Sequence, residues 1–121
     1  MRRAAILLAL LIAGPAAAQT QLELSSKAAD ELVAAEAQMK AVYDRIARPY
    51  GADTKKRLQE AQDAWRLYRD KQCFFENKST EGGTIHQMLV YQCLTALTDL
   101  RTAELKRQDN CQEGDLSCNR E

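Results

Sequence analysis

The sequence predicts an all-α protein, a single three-helix domain stapled by disulfides. Three observations carry that expectation. Apolar residues recur in steps of three and four over long stretches, with no alternating run that would mark a strand. Two breaks interrupt them, "RPYGAD" at 48–53 and "ENKSTEGG" at 76–83, both supplied with turn-forming residues. Four cysteines come after an export-type leader, the setting in which small domains add disulfides to a modest core.

The leader comes first. "MRR" is a basic start, "AAILLALLIAG" an apolar run, and "PAAAQ" ends in small residues suited to cleavage after Ala18. Residues 1–18 therefore read as a signal peptide, too short for a membrane span. The first cysteine is Cys73, so no lipid anchor is expected at the cleavage point. The expected product is soluble and bacterial, either periplasmic or secreted. Arg2 and Arg3 leave with the leader, so fifteen basic side chains face seventeen acidic ones, a net charge of about −2. That balance argues against nucleic acid or an anionic membrane as partner, since both select a basic surface. The domain expected is 19–107, with a polar tail at 108–121.

Helix one is expected to open at a capping box, Thr20 with Glu23. Its stripe is Leu24, Ala28, Leu32, Ala35, Met39, Val42 and Ile46, with Glu23–Lys27, Glu36–Lys40 and Asp44–Arg48 as i, i+4 pairs on the wet side. Pro49 and Gly51 end it. Asp53 or Thr54 can cap helix two, which runs through Leu58, Ala61, Trp65 and Tyr68 to about Phe75. Thr84 and Gln87 form a second capping box opening helix three, with Ile85, Met88, Leu89, Cys93, Ala96, Leu97 and Leu100 as its apolar positions.

The densest stretch is "AQDAWRLYRDKQC" at 61–73. One reading is a reactive site; the other is a scaffold lock. The site reading lacks parts, because the only histidine, His86, lies beyond the glycine loop and no activated serine or cysteine stands near. In the lock, Trp65 packs, Tyr68 and Arg69 bridge helices, Arg66 and Asp70 pair on the surface, and Cys73 fixes the loop beyond it. Four cysteines allow three pairings, and local closure favours Cys73–Cys93 and Cys111–Cys118. Metal binding by Cys111 and Cys118 fits neither the compartment nor the spacing. No cofactor or metal is expected, and no enzyme activity.

These residues resemble those of the LprI-type lysozyme-inhibitor family, small exported bacterial domains. The shared pattern is Ala61, Gln62, Trp65, Tyr68, Arg69, Asp70 and Cys73, then a glycine-containing loop, then Cys93, Thr98, Arg101 and Leu105. "TQLEL" at 20–24 is similar to the family's opening. Two features depart from it. An N-terminal cysteine pair common in the family is missing, with Lys27 at its second position, and the pair Cys111 and Cys118 is added at the other end.

The resemblance implies a protein partner, a lysozyme, blocked by occlusion of its active-site cleft. The alternative is an envelope adaptor or immunity-like module with a different partner. Oligomeric state is open. Because the shared residues read as scaffold, the candidate partner-binding segment is the loop Glu76, Asn77, Lys78, Ser79, Glu81, Gly82, Gly83 and Thr84, where Lys78 could approach a catalytic carboxylate. The plain alternative is a connector. The acidic tail, with Asp109, Glu113 and Asp115, is a second candidate, and exposed Tyr43, Tyr50 or Tyr91 a third.

Overall fold

A computed structural model describes residues 15–112 and 114–118. The leader as far as Gly14, Glu113 of the acidic tail and residues 119–121 lie outside the described residues. Three helices account for the rest: α1 over Pro15–Ala47, α2 over Ala52–Glu76 and α3 over His86–Asp109, with a short 3-10 turn at Lys78–Thr80 between the last two. No strand occurs among the described residues. Both expected disulfides are present, Cys73–Cys93 with a Cα separation of 5.6 Å and Cys111–Cys118 at 5.7 Å.

Cross-helix bonds give the topology. Glu36, Met39 and Tyr43 of α1 meet Arg69, Gln62 and Gln59 of α2, so these two helices run antiparallel. Arg45 near the end of α1 meets Asp109 at the end of α3, so α1 and α3 run parallel. The main packing is α1 along α3. The expected stripe on α1 is the buried one: Ala28, Ala35, Met39, Val42 and Ile46 are buried, Leu32 is half-buried, and only Leu24 is exposed. Met39, Val42 and Ile46 join Leu105 of α3 in one core cluster, with Tyr43, Leu58 and Trp65 packed against it.

Several local expectations are corrected. Helix α1 is already under way at Pro15, so Thr20 stands inside it rather than capping it. Helix α2 starts after Gly51 and α3 after Ile85, neither with a side-chain cap, so Asp53, Thr54 and Thr84 do not serve as caps. Asp53 binds Arg57 instead, Nε to Oδ2 at 2.8 Å. Within α1, among the described residues, the ion pairs are Lys27–Glu31 and Lys40–Asp44 in place of the expected set, and Glu36 crosses to Arg69 on α2 instead of pairing with Lys40.

The inward face of α3 also differs. Its buried residues are Val90, Thr98, Thr102 and Leu105, whereas Ile85, Ala96 and Leu100 of the expected stripe are exposed. Two threonines can occupy a core because each hydroxyl donates back to the carbonyl four residues earlier. Thr98 Oγ1 reaches Leu94 O at 2.7 Å, and Thr102 Oγ1 reaches Thr98 O at 2.9 Å.

At the far end of the bundle Tyr50 is buried, and burial first, then the Asp109 carboxylate, raises its phenol above the usual tyrosine range. Tyr43 is half-buried and donates from its hydroxyl to Gln59 Oε1 at 2.9 Å, so the tyrosines form no exposed cluster. Arg45 donates to Asp109 Oδ2 from Nε at 2.7 Å. That hydrogen bond holds the Asp109 carboxyl below the usual carboxylate range. A depressed carboxyl adds stability above its unfolded pKa of about 3.9, and the gain is lost as pH falls through the folded value. The pair is solvent-accessible, so the effect is small and screened by salt. In thermal melts Asp109→Asn should therefore fall slightly below the wild type at neutral pH. The gap should close as pH falls below the ordinary carboxylate range and through the lowered folded value; a gap of constant size would show that the carboxylate plays no part.

Candidate functional site

The stretch singled out by its aromatic and charged content builds a polar seam through the middle of the bundle. Arg69 projects inward from α2 with its side chain only 9% exposed. Its Nη1 donates to Glu36 Oε1 of α1 at 2.8 Å and to Thr98 Oγ1 of α3 at 3.0 Å, while its Nε donates to Asp70 Oδ1 at 2.9 Å. One guanidinium thereby joins all three helices, using the forked donor geometry that a lysine lacks. Asp70 is held by Arg69 rather than by Arg66.

Trp65 lies one turn from Arg69 and is flanked by two cations. The Arg69 guanidinium sits 5.2 Å from the indole centroid, and that of Arg101, from α3, 5.9 Å. Both are within the range where a ring quadrupole attracts a cation. Arg101 Nε continues the seam to Gln62 Oε1 at 3.0 Å, and Gln62 Nε2 turns to Met39 Sδ at 3.2 Å. Tyr68 departs from the expected bridging position: it lies on the outward side of α2, more than half exposed. Ala61, expected on the inward stripe, is exposed too.

Among the described residues, no fully buried side-chain nitrogen or oxygen of the seam lacks a hydrogen-bond partner. Two open depressions of about 410 Å³ border the seam, one beside Glu36, Met39 and Arg69 and one beside Arg101, Glu104 and Leu105, and its cations are already matched to Glu36, Asp70 and Glu104. Among the described residues no cluster of histidine, cysteine and carboxylates has the makings of a metal site. The geometry suits a rigid scaffold.

The segment after α2 is built differently. Asn77 closes the helix, its Nδ2 donating to Cys73 O at 2.9 Å. Thr80 Oγ1 donates to Asn77 O at 2.8 Å and lies 2.9 Å from His86 Nδ1, tying the 3-10 turn to the start of α3. Since that hydroxyl proton is committed to Asn77, the imidazole Nδ1–H is the donor in the second bond. Gly82 adopts φ +79°, a left-handed conformation that glycine reaches without penalty, and Gly83 N returns to Thr80 O at 3.0 Å.

Lys78 is exposed but already paired in this arrangement. It pairs with Glu81 across the turn, and that hydrogen bond lowers the Glu81 carboxyl below its usual range. Glu76 takes a hydrogen bond from Gln72 at 2.7 Å. Ser79 and Thr84 are exposed. The expected loop is thus an ordered, self-bonded turn pinned beside Cys73–Cys93.

Reading from hydrophobic periodicity misses the outer face of α2. Leu67, Tyr68, Phe74 and Phe75 are all exposed there and run up to the loop. The signal is partly available in the sequence: Leu67, Phe74 and Phe75 fall out of step with the inward positions Gln62, Trp65, Arg69 and Cys73, whereas Tyr68, three residues from Trp65, does not. At the other end of the chain, Asp115 accepts from Ser117 N at 2.9 Å inside the Cys111–Cys118 ring, and Leu116 stands fully in solvent.

No helix among the described residues is long and apolar enough to cross a membrane. No solved structure matches the chain. An uncharacterized protein of Rhizobium meliloti (strain 1021) is 34% identical to it, across 88% of this chain and 94% of the relative. The family model described as "Lysozyme inhibitor LprI" matches residues 13–105, which take in the seam, the loop and the Cys73–Cys93 bridge. By that match the chain belongs to the LprI lysozyme-inhibitor family, an inhibitor family and not an enzyme family.

Proposed function

We propose that this protein is exported to the envelope or beyond and there inhibits a lysozyme-type glycosidase by occluding its active-site cleft. Family membership carries the reading. The physical support is pre-organisation. A cleft that cleaves glycosides with paired carboxylates is blocked most tightly by a segment already in its bound shape, because little ordering entropy is then lost on docking. The turn at 76–84 meets that requirement. Its backbone is closed by its own hydrogen bonds, its base is fixed to Cys73, and it stands at the end of a helix rather than between packed surfaces.

Within the turn, Lys78 and Glu81 present one charge of each sign on the outside. Lys78 can exchange Glu81 for a partner carboxylate at small cost, since an ion pair exposed to water is weak.

The test is inhibition of c-, g- and i-type lysozymes by the oxidised protein, read as cell-wall lysis. Saturable inhibition of one type is the expected result. Replacing both Lys78 and Glu81 by alanine should raise the half-inhibitory concentration about tenfold, the loss of a modest hot spot, with unchanged helical circular dichroism. Inhibition undiminished in the double variant would remove the turn from the footprint. No inhibition of any type by folded protein would favour the adaptor reading, with a different partner.

A further inference from the structure

Helix α2 departs from an ordinary surface helix, which hides its apolar stripe and wets its polar one: beside Leu58, Trp65 and Cys73 it also buries polar side chains, and it leaves large apolar ones in solvent. Its inward side carries Gln62 and Arg69, both buried, whereas Leu67, Tyr68, Phe74 and Phe75 on the outward side are between 54% and 75% exposed. The four are not scattered. Counted from Lys71 they stand at −4, −3, +3 and +4, which are the positions that neighbour it on a helix surface. Lys71 is therefore a single cation framed by two aliphatic-to-aromatic pairs.

That cation is also unmatched. Lys71 is exposed and forms no ion pair among the described residues. Of the charges nearest the frame, Asp70 is engaged by Arg69 at 2.9 Å and Lys78 by Glu81. An isolated lysine inside a ring of large apolar groups contributes nothing to the fold, and its surroundings would exclude water from any carboxylate it met. Aromatic anchors ringed so as to shut out solvent are the ordinary make-up of a binding hot spot. An ion pair so enclosed is stronger than one in water.

We propose that this face is where the inhibited glycosidase is anchored, Leu67, Tyr68, Phe74 and Phe75 seating on apolar walls of the partner around an acidic side chain that pairs with Lys71. The proposal rests on the inhibitor reading and supplies its surface and the chemistry that the surface meets. A glycoside-cleaving cleft offers both elements, carboxylates set among apolar and aromatic walls. Phe74 and Phe75 lead directly into Glu76, so the face and the turn at 76–84 form one continuous footprint.

Charge also argues against two other occupants. In a two-fold pairing with a second copy, this face would bring Lys71 toward Lys71, a like-charge contact that opposes association. An anionic lipid surface would find only Lys71 and Arg66 as unpaired cations here among the described residues, with Asp63 beside them, in a chain whose mature charge is about −2.

The test uses the full mature protein, with Lys71→Glu, Lys71→Gln, Lys71→Arg and Phe75→Ser as probes and Val33→Ser, a comparably exposed apolar site on α1, as control. Against the lysozyme that the wild type inhibits, Lys71→Glu should raise the half-inhibitory concentration by about 100-fold and Phe75→Ser by about tenfold or more. Lys71→Arg should stay within about threefold, and Val33→Ser should match the wild type. Inhibition should also weaken with salt in the wild type and less so in Lys71→Gln. If Lys71→Glu and Phe75→Ser inhibit normally while the Lys78/Glu81 variant is impaired, the face is wrong and the inhibitor reading stands. If the wild type inhibits no lysozyme, both fall. A dimer in sedimentation, or binding to anionic vesicles, that Phe75→Ser abolishes would assign the face to another occupant and overturn the proposal.

Discussion

Replacing Arg69 by alanine is expected to cost about 3 kcal/mol of folding stability, among the largest effects available to a single substitution here. The reason is the number of groups that share one guanidinium. Its side chain is 9% exposed, so truncation leaves a void between three helices as well as unpaired acceptors. The Glu36 carboxylate recovers water on its 45% exposed side, which limits its share of the loss. Thr98 does not recover: it is fully buried, and although its own proton still goes to Leu94 O, its acceptor lone pair loses the donor. Trp65 keeps Arg101 but loses the nearer of its two cations.

Arg69→Lys should lie between alanine and wild type, because an ammonium can satisfy Glu36 but cannot also span Thr98 and Asp70. Arg66→Ala, an exposed change three residues away, should fall within about 0.5 kcal/mol of the wild type. Urea melts of the three variants decide the matter. Equal midpoints for Arg69→Ala and Arg66→Ala would mean that the seam is incidental to stability.

That seam also explains which parts of the fold are legible in the sequence. Helix α1 is readable because its buried positions are aliphatic or small and keep the 3–4 spacing without interruption. Helix α3 is not, because two of its core positions are Thr98 and Thr102, whose hydroxyls are silenced by their own backbone. Hydropathy gives no credit for a donor satisfied locally. For the same reason periodicity assigns Leu100 to the core, although it is exposed. Helix α2 misleads in both directions: Tyr68 reads as inward and faces out, while the buried Gln62 carries no apolar signal at all.

The candidate site divides in the same way. Composition is enough to place a loop at 76–84, but the match of Lys78 to Glu81 depends on the 3-10 turn that brings them together, which composition does not specify. The outer face of α2 needs only the observation that Leu67, Tyr68, Phe74 and Phe75 surround Lys71 at helical spacing. It is hidden by the assumption that large apolar residues mark the inside. That assumption fails where the inside is held by arginine, glutamine and threonine.

The two disulfides should differ sharply when removed, although chain entropy alone would rank them nearly together. In the loop-closure model a bridge across twenty residues is worth about 3 kcal/mol and one across seven about 2 kcal/mol. The model assumes that the native state needs the loop closed. Cys73–Cys93 meets that condition: Cys73 is fully buried, and the bridge holds α2 to α3 at the foot of the 76–84 turn. Replacing both cysteines by alanine should therefore cost about 3 kcal/mol, and should loosen the turn that Asn77 anchors to Cys73 O. Cys111–Cys118 closes a ring beyond the end of α3, with no core side chain among its described residues. Opening it frees the tail in the folded and unfolded chains alike, so the entropic terms cancel and the melt should move by less than about 0.5 kcal/mol. Denaturant titration of the two double variants, with hydrogen exchange of amides 77–86, measures both claims. Equal losses would show that the tail packs on the bundle; a stable, protected turn without Cys73–Cys93 would show that Thr80, Asn77 and Gly83 order it unaided.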